Sequence, residues 1–216
     1  MRLNLDNNLV GNKEINMKKE VDFLESKTIG NLARSFASEC MEGAKYQFMA
    51  KKCETKNLEF LKTTLKSLAK HEMSHAKLFW DLLVNNANGI LENVDICMGY
   101  PFETGTLVQD FMFSSANENE LYEHIYPTFA KIAKDEGFDE ISHAFKLVAT
   151  VENCHSMLLK DLGTKLKSNS LYKMPEPTKW KCSKCGFEHT AKTAFKTCPL
   201  CSLPQGYVEV PVDTGK

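Results

Sequence analysis

KHEMSHAK, residues 70–77, lies in the middle of an amphipathic pattern. The stripe Leu61, Leu65, Leu68, Phe79 and Leu82 keeps one helical face apolar. Glu72 and His75 occupy the positions where that face should be apolar. The arrangement occurs again at Glu152-x-x-His155, inside the stripe Ile141, Phe145, Val148, Leu159 and Leu162. Two ionisable groups in phase with a core stripe, found twice, require a partner for the charge they would bury.

Two further stripes carry one acid each. Leu32, Phe36, Gly43, Tyr46, Ala50 and Cys53 enclose Glu39, and Leu107, Phe111, Ser114, Ile125, Phe129 and Ile132 enclose Glu118. The predicted helices run from about 28 to 55 with Thr28 as cap, through the 61–82 stripe to the Asn-Asn-Ala-Asn-Gly run at 85–89, from Leu107 with a kink at Pro127, and from Ile141 to Gly163. Residues 88–103 form one long connection in the middle, so the expected fold is mainly α, a four-helix bundle with a crossover. The expected organisation is an N-terminal extension over 1–27, the bundle over 28–167, a linker over 168–179 with two prolines, and a small second domain over 180–216.

Burying four carboxylates together costs several kcal/mol each unless a cation compensates. Two iron ions would supply that charge. One Glu from each of two helices plus Glu-x-x-His from each of the other two is the general ligand pattern of ferritin-like dinuclear carboxylate proteins. Glu39, Glu72, His75, Glu118, Glu152 and His155 complete that pattern here. Oxygen and nitrogen donors suit iron or manganese and also accept zinc. His71, His124 and His143 fall off the stripes and read as surface residues.

The second motif is WKCSKCGFEHTAKTAFKTCPLC, residues 180–201. Cys182-x-x-Cys185 and Cys198-x-x-Cys201 supply four thiolates on two knuckles, spaced to close a tetrahedral site around one iron or a structural zinc. The other four cysteines, Cys40, Cys53, Cys97 and Cys154, are scattered through helical pattern, so the eight together point to a reducing, cytoplasmic setting rather than a disulfide scaffold. A net charge of -1 and an isoelectric point near 6.6 give no basic surplus for nucleic acid. No apolar run reaches the roughly 18 residues of a membrane span. The N-terminal stretch also lacks the apolar core of a signal peptide.

With both motifs in view the chain resembles the rubrerythrins, in which a ferritin-like diiron bundle precedes a rubredoxin-like domain. YPTFAKIAKDEGF at 126–138 and WKCSKCGFEH at 180–189 carry the resemblance beyond the ligands. It implies a peroxidase of oxidative stress defence, in which a dinuclear iron site reduces hydrogen peroxide to water and electrons arrive through the four-cysteine iron from a reductase or rubredoxin. It also implies a homodimer with electron transfer between subunits. By resemblance, Glu39 and His75 are terminal ligands of one iron, Glu118 and His155 of the other, Glu72 and Glu152 the bridges, and Tyr46 and Tyr126 the two tyrosines beside the site.

One position departs from the family pattern. Leu121 stands where a further carboxylate is usual, one turn after Glu118. Glu120 and Glu123 face away from the site in a regular helix, and only a local bulge would turn one of them inward. The expectation is therefore a six-ligand centre. An oxygen reductase or ferroxidase is the alternative activity, and a metal-holding protein with structural zinc in the four-cysteine site is the alternative from the binding class.

Overall fold

The computed structural model describes residues 21–212, so most of the expected N-terminal extension lies outside the described residues. Five α-helices follow one another: α1 Lys27–Thr55, α2 Glu59–Asn86, α3 Leu107–Glu120, α4 Tyr126–Glu136 and α5 Asp139–Lys167. α3 and α4 are joined by a π-helical turn, Leu121–Ile125, and together make the third rod of a four-helix bundle. α1 packs along α2, and α5 packs along both α3 and α4.

The cap of α1 is Ser26, whose Oγ accepts from the amide of Ile29, not Thr28 as expected. Thr28, the second residue of the helix, is buried, and its hydroxyl donates to the Glu136 carboxylate at 2.6 Å. The amides of Lys27 and Thr28 donate to the same carboxylate at 2.9 and 3.0 Å. An acid from the end of α4 thus closes the start of α1, where the helix dipole favours negative charge.

The kink expected at Pro127 takes the form of the π-turn immediately before it. Proline offers no N–H, and its ring collides with the carbonyl four residues back in a regular helix. The wider turn, closed by the Tyr126 N–H on the Leu121 carbonyl, takes up that collision by inserting one extra residue. Leu121 stays buried against the core, while Glu120 and Glu123 remain exposed beside His124. A bulge is present, and it turns neither acid inward.

Residues 87–106 cross from α2 to α3 without regular structure and lie over α1. Arg34 donates to the Cys97 carbonyl at 3.1 Å, Tyr100 donates to Glu42 at 2.7 Å, and Lys52 donates to the Gly105 carbonyl at 3.2 Å. A capping box between Thr106 and Gln109 then starts α3.

The apolar core of the bundle is in two parts. Leu32, Phe79, Leu121, Tyr126, Phe145 and Val148 fill one end, and Tyr46, Leu61, Leu65, Phe111, Leu159 and Leu162 the other. On every rod a carboxylate falls between the two ends, so the polar layer cuts the core across its middle. Close helix approach there uses small residues. The backbone of Gly43 comes so near α2 that an added Cβ would lie 3.6 Å from the Glu72 Cβ. Ser115 and Ser156 exchange hydroxyl-to-carbonyl bonds of 2.9 Å between α3 and α5.

The C-terminal module is a three-stranded antiparallel sheet, order β2-β1-β3, built from β1 Lys173–Cys182, β2 Glu188–Thr193 and β3 Val208–Glu209. Residues 173–179, expected to be linker, are therefore part of the sheet. Pro175 and Pro177 sit where the β1–β2 register breaks between Lys173 and Thr178, since proline cannot donate to a ladder. Trp180 is fully buried and donates its Nε1–H to the Ala191 carbonyl at 2.8 Å. Gly206 presses the module onto the α1–α2 turn so closely that any Cβ there would meet the Asn57 carbonyl oxygen at 1.8 Å.

Candidate metal centres

Each rod delivers its acid to the same layer. Glu39, Glu72, Glu118 and Glu152 are all buried to 1% exposure or less. Their oxygens and the histidine nitrogens fall into two groups, Glu39 with Glu72, His75 and Glu152, and Glu118 with Glu72, Glu152 and His155. Within each group one donor atom per residue lies within 4.8 Å of the others. Glu72 and Glu152 belong to both groups, so a cation in each group would share them. All six residues singled out from the stripes are brought together.

The donors are not satisfied by one another. His75 Nδ1 carries at most one proton, yet it faces Glu152 at 2.9 Å, Glu72 at 3.1 Å and Glu39 at 3.3 Å. His155 Nδ1 likewise faces Glu152 at 2.8 Å and Glu72 at 3.1 Å. Glu118 Oε2 is buried and takes no hydrogen bond, and the equally buried Glu152 Oε1 and Glu72 Oε1 have only the shared His75 and His155 nitrogens beside them. Converging acceptors with orphaned lone pairs are what a cation would satisfy.

Protons are the alternative to a cation, and the acidities say so. Burial lifts Glu39 from its ordinary 4.5 to about 8 against the pull of His75. Burial also lifts Glu118 well above the ordinary range, with Glu42 its strongest charged neighbour. Burial opposes charge on His75, but hydrogen bonds to Glu152, Glu39 and Glu72 prevail and push it up to about 12. His155 rises to about 9 in the same way, burial being outweighed by Glu152 and Glu72. A bound cation would displace these protons, because metal ligands must be deprotonated.

The tyrosines expected beside the site complete a cross-brace. Tyr46 of α1 donates to Glu118 of α3, and Tyr126 of α4 donates to Glu39 of α1. Both are fully buried, and burial holds the pKa of both phenols well above its ordinary value, so they stay protonated and remain donors.

Two residues near the site were not legible as such in the sequence. His71, exposed as expected, nevertheless places its Nδ1 3.2 Å from His155 Nε2. Glu42, one turn beyond Glu39, is 1% exposed, and its charge is felt by Glu118 as that of Glu72 is felt by Glu42. The step of three from Glu39 to Glu42, the same as from Glu72 to His75, is the signal that could have found it.

In the C-terminal module Cys182 and Cys201 lie with sulfurs 3.7 Å apart and Cys185 and Cys198 3.6 Å apart, all as free thiols. Sulfur atoms about 2.3 Å from a tetrahedral ion stand about 3.8 Å from each other. The knuckles repeat one another: Gly186 N–H returns to the Cys182 carbonyl and Ser202 N–H to the Cys198 carbonyl, each at 2.9 Å. Burial raises the Cys198 thiol, but the amides of Cys201 and Leu200 outweigh it and draw it down to about 7.

Comparison with known proteins agrees with both sites. Residues 30–163 match the family model described as rubrerythrin. The chain belongs to the rubrerythrin family. Residues 180–209 match the rubrerythrin rubredoxin-like domain. The chain is 32% identical to a rubrerythrin of Clostridium perfringens over 186 residues, 86% of this chain and 94% of that one. It is 32% identical to a rubrerythrin of Porphyromonas gingivalis over 198 residues, 91% of this chain and 95% of that one. A solved structure of nigerythrin in a partially reduced state shares the fold, with a TM-score of 0.57 at 20% identity over 98% of this chain and all of that one. Rubrerythrins carry a dinuclear iron site and a four-cysteine iron site, and both donor sets are in place here. Among the described residues no helix is long and apolar enough to cross a membrane.

Proposed function

We propose that this protein is a cytoplasmic peroxidase that reduces hydrogen peroxide to water at the bundle centre, with electrons delivered through the four-cysteine iron. The observation that carries the reading is the pair of donor groups sharing Glu72 and Glu152 inside a dry core. When bound, two adjacent irons supply one electron each and act as Lewis acids toward the peroxide oxygens. Each turnover consumes two electrons and two protons and yields two waters.

The residues divide the remaining work. Glu39 and His75 would hold one ion and Glu118 and His155 the other, with Glu72 and Glu152 available to both. Tyr126 and Tyr46 fix the terminal carboxylates Glu39 and Glu118 by donating to one oxygen of each and leaving the other for metal. His71 fixes the tautomer of His155: with Nδ1 turned to the carboxylates, His155 keeps its proton on Nε2 and donates it to His71 Nδ1. His75 is the most open of the ligands, its side chain 13% exposed against 4% for His155, so a small substrate reaches the site from its side.

Electrons enter from a rubredoxin or a reductase at the C-terminal module. Within one chain that module contacts the α1–α2 turn, and from Glu59 to Glu72 is about 20 Å along the helix. This separation favours transfer to the bundle of a second subunit in a homodimer. The test is peroxide-dependent oxidation of a reduced rubredoxin by the iron-loaded protein. Catalysis should vanish in Cys185→Ser while the bundle irons stay in place, and unchanged catalysis would remove the four-cysteine centre from the route.

Leu121 favours a second reading. Without a carboxylate at that position, dioxygen reduction or ferrous iron oxidation is the competing activity.

A further inference from the structure

The bundle centre has an internal two-fold relation that the six ligands alone do not exhaust. On α1 the inward polar positions are Glu39, Glu42 and Tyr46, and Tyr46 reaches across to Glu118. On the third rod the matching positions are Glu118, Leu121 and Tyr126, and Tyr126 reaches back to Glu39. The steps agree at the first interval. At the second the π-turn adds one residue to the third rod. Glu42 is thus the counterpart of Leu121, lying between the acid of its own rod and the tyrosine that braces the opposite acid.

Glu42 is also held in an uneven way. Its Oε1 accepts from Tyr100 at 2.7 Å and from Asn117, the neighbour of Glu118, at 2.6 Å. Lys45 Nζ stands 3.4 Å from both oxygens, at the edge of hydrogen-bond range. Oε2 takes no hydrogen bond although the residue is 1% exposed. A carboxylate with one oxygen tied by two short hydrogen bonds and the other, buried, held only by a long ion pair to Lys45 is set to pivot on the tied atom.

We propose that Glu42 is a further ligand of the dinuclear centre, exchanging between the cradle of Tyr100, Asn117 and Lys45 and the ion held by Glu118 and His155, with Oε2 as the ligating atom. The inference rests on the dinuclear iron reading of the site. The more highly charged diferric state draws the anionic carboxylate inward, and the diferrous state releases it to the cradle. The carboxylate missing at Leu121 is then supplied at the other ion by α1. The crossover, through Tyr100, becomes part of the metal centre rather than a mere connection.

Crystal structures of the iron-loaded protein, with anomalous scattering to place the ions, test this in the diferric and diferrous forms. The diferric form should place Glu42 Oε2 about 2.2 Å from the ion beside His155, a carboxylate–metal bond length. The diferrous form should return it to Tyr100 and Asn117. Both ions present with Glu42 in the cradle in both forms would overturn the inference and leave the dinuclear reading intact. No ions in the bundle would overturn both. Mössbauer spectra of the diferric Glu42→Gln variant give an independent readout, since glutamine keeps an acceptor for the cradle. One quadrupole doublet should change and the other stay, and two unchanged doublets would sink the proposal. Tyr100→Phe, which loosens the cradle without touching a ligand, should hold Glu42 on the ion in both redox states.

Discussion

The bundle centre is made of two halves that do the same job with different backbones. In α1 a regular helix carries Glu39 and then Tyr46 seven residues on, whereas the third rod needs eight residues from Glu118 to Tyr126 because a π-turn lies between them. The tyrosine-to-acid brace survives in both directions. Side-chain chemistry at the centre tolerates a change of helical register so long as the register changes away from the ligand itself. What is not shared is the position between acid and tyrosine, a glutamate in α1 and a leucine in the third rod.

The largest expected effect distinguishes shared from private ligands. Glu72→Ala removes a carboxylate common to both groups and should leave no iron in the bundle, measured as iron per chain after subtracting the iron of the C-terminal module. Glu39→Ala and Glu118→Ala each touch one half and should retain iron in the other. Equal retention in all three variants would contradict the bridging role proposed for Glu72.

Metal removal comes next, and its pH dependence has a definite sign. In chelated protein, Glu39 and both histidines bind their protons more tightly folded than unfolded. Stability from a raised glutamate is present below its ordinary 4.5 and lost as pH rises through about 8. That from His155 is present below 6.5 and lost through about 9, and that from His75 falls throughout the same window. Glu72, drawn down to about 2 because His155 and His75 outweigh burial, contributes above 4.5 and does not change there. The chelated protein should therefore lose several degrees of Tm between about pH 6.5 and 9, whereas the iron-loaded protein should hold. A chelated Tm that rises over this range would refute the protonation account.

A finer comparison uses the braces. Tyr46→Phe and Tyr126→Phe each strip a buried carboxylate of its donor, at a cost of about 1–3 kcal/mol by denaturant unfolding. Closely similar losses would support equivalent halves, and one silent variant would break the symmetry. The smallest effect is in the C-terminal module, where the knuckles differ at one backbone position. Gly186 has φ 75° and Ser202 has φ 59°, both in the left-handed region that costs a side-chain-bearing residue about 1–2 kcal/mol. Ser202→Gly should raise the unfolding midpoint of the module slightly and Gly186→Ser should lower it, followed by loss of the thiolate-to-iron absorption.

Much of this was legible because metal ligands replace apolar residues without breaking helical phase. Glu39, Glu72, His75, Glu118, Glu152 and His155 all stand at stripe positions, and the structure brings all of them into one layer. The Cys-x-x-Cys pairs are local and carry their geometry in their spacing. Other features depend on partners far along the chain. Glu42 gains its setting from Tyr100, which lies in a crossover with no periodicity to read. His71 is a surface residue on its own helix and meets His155 only because α2 and α5 approach there. Ser26 rather than Thr28 caps α1 because Glu136, more than a hundred residues later, claims the Thr28 hydroxyl. Pro127 marked a disturbance in the third rod, but not that a π-turn would absorb it.

In the proposed reading this centre works on peroxide despite Leu121. The most direct measurement is anaerobic reduction of the iron-loaded protein followed by stopped-flow reoxidation with hydrogen peroxide and, separately, with dioxygen. A peroxidase should be reoxidised much faster by peroxide. Faster reoxidation with dioxygen would contradict that reading and move the protein to the oxidase or ferroxidase reading.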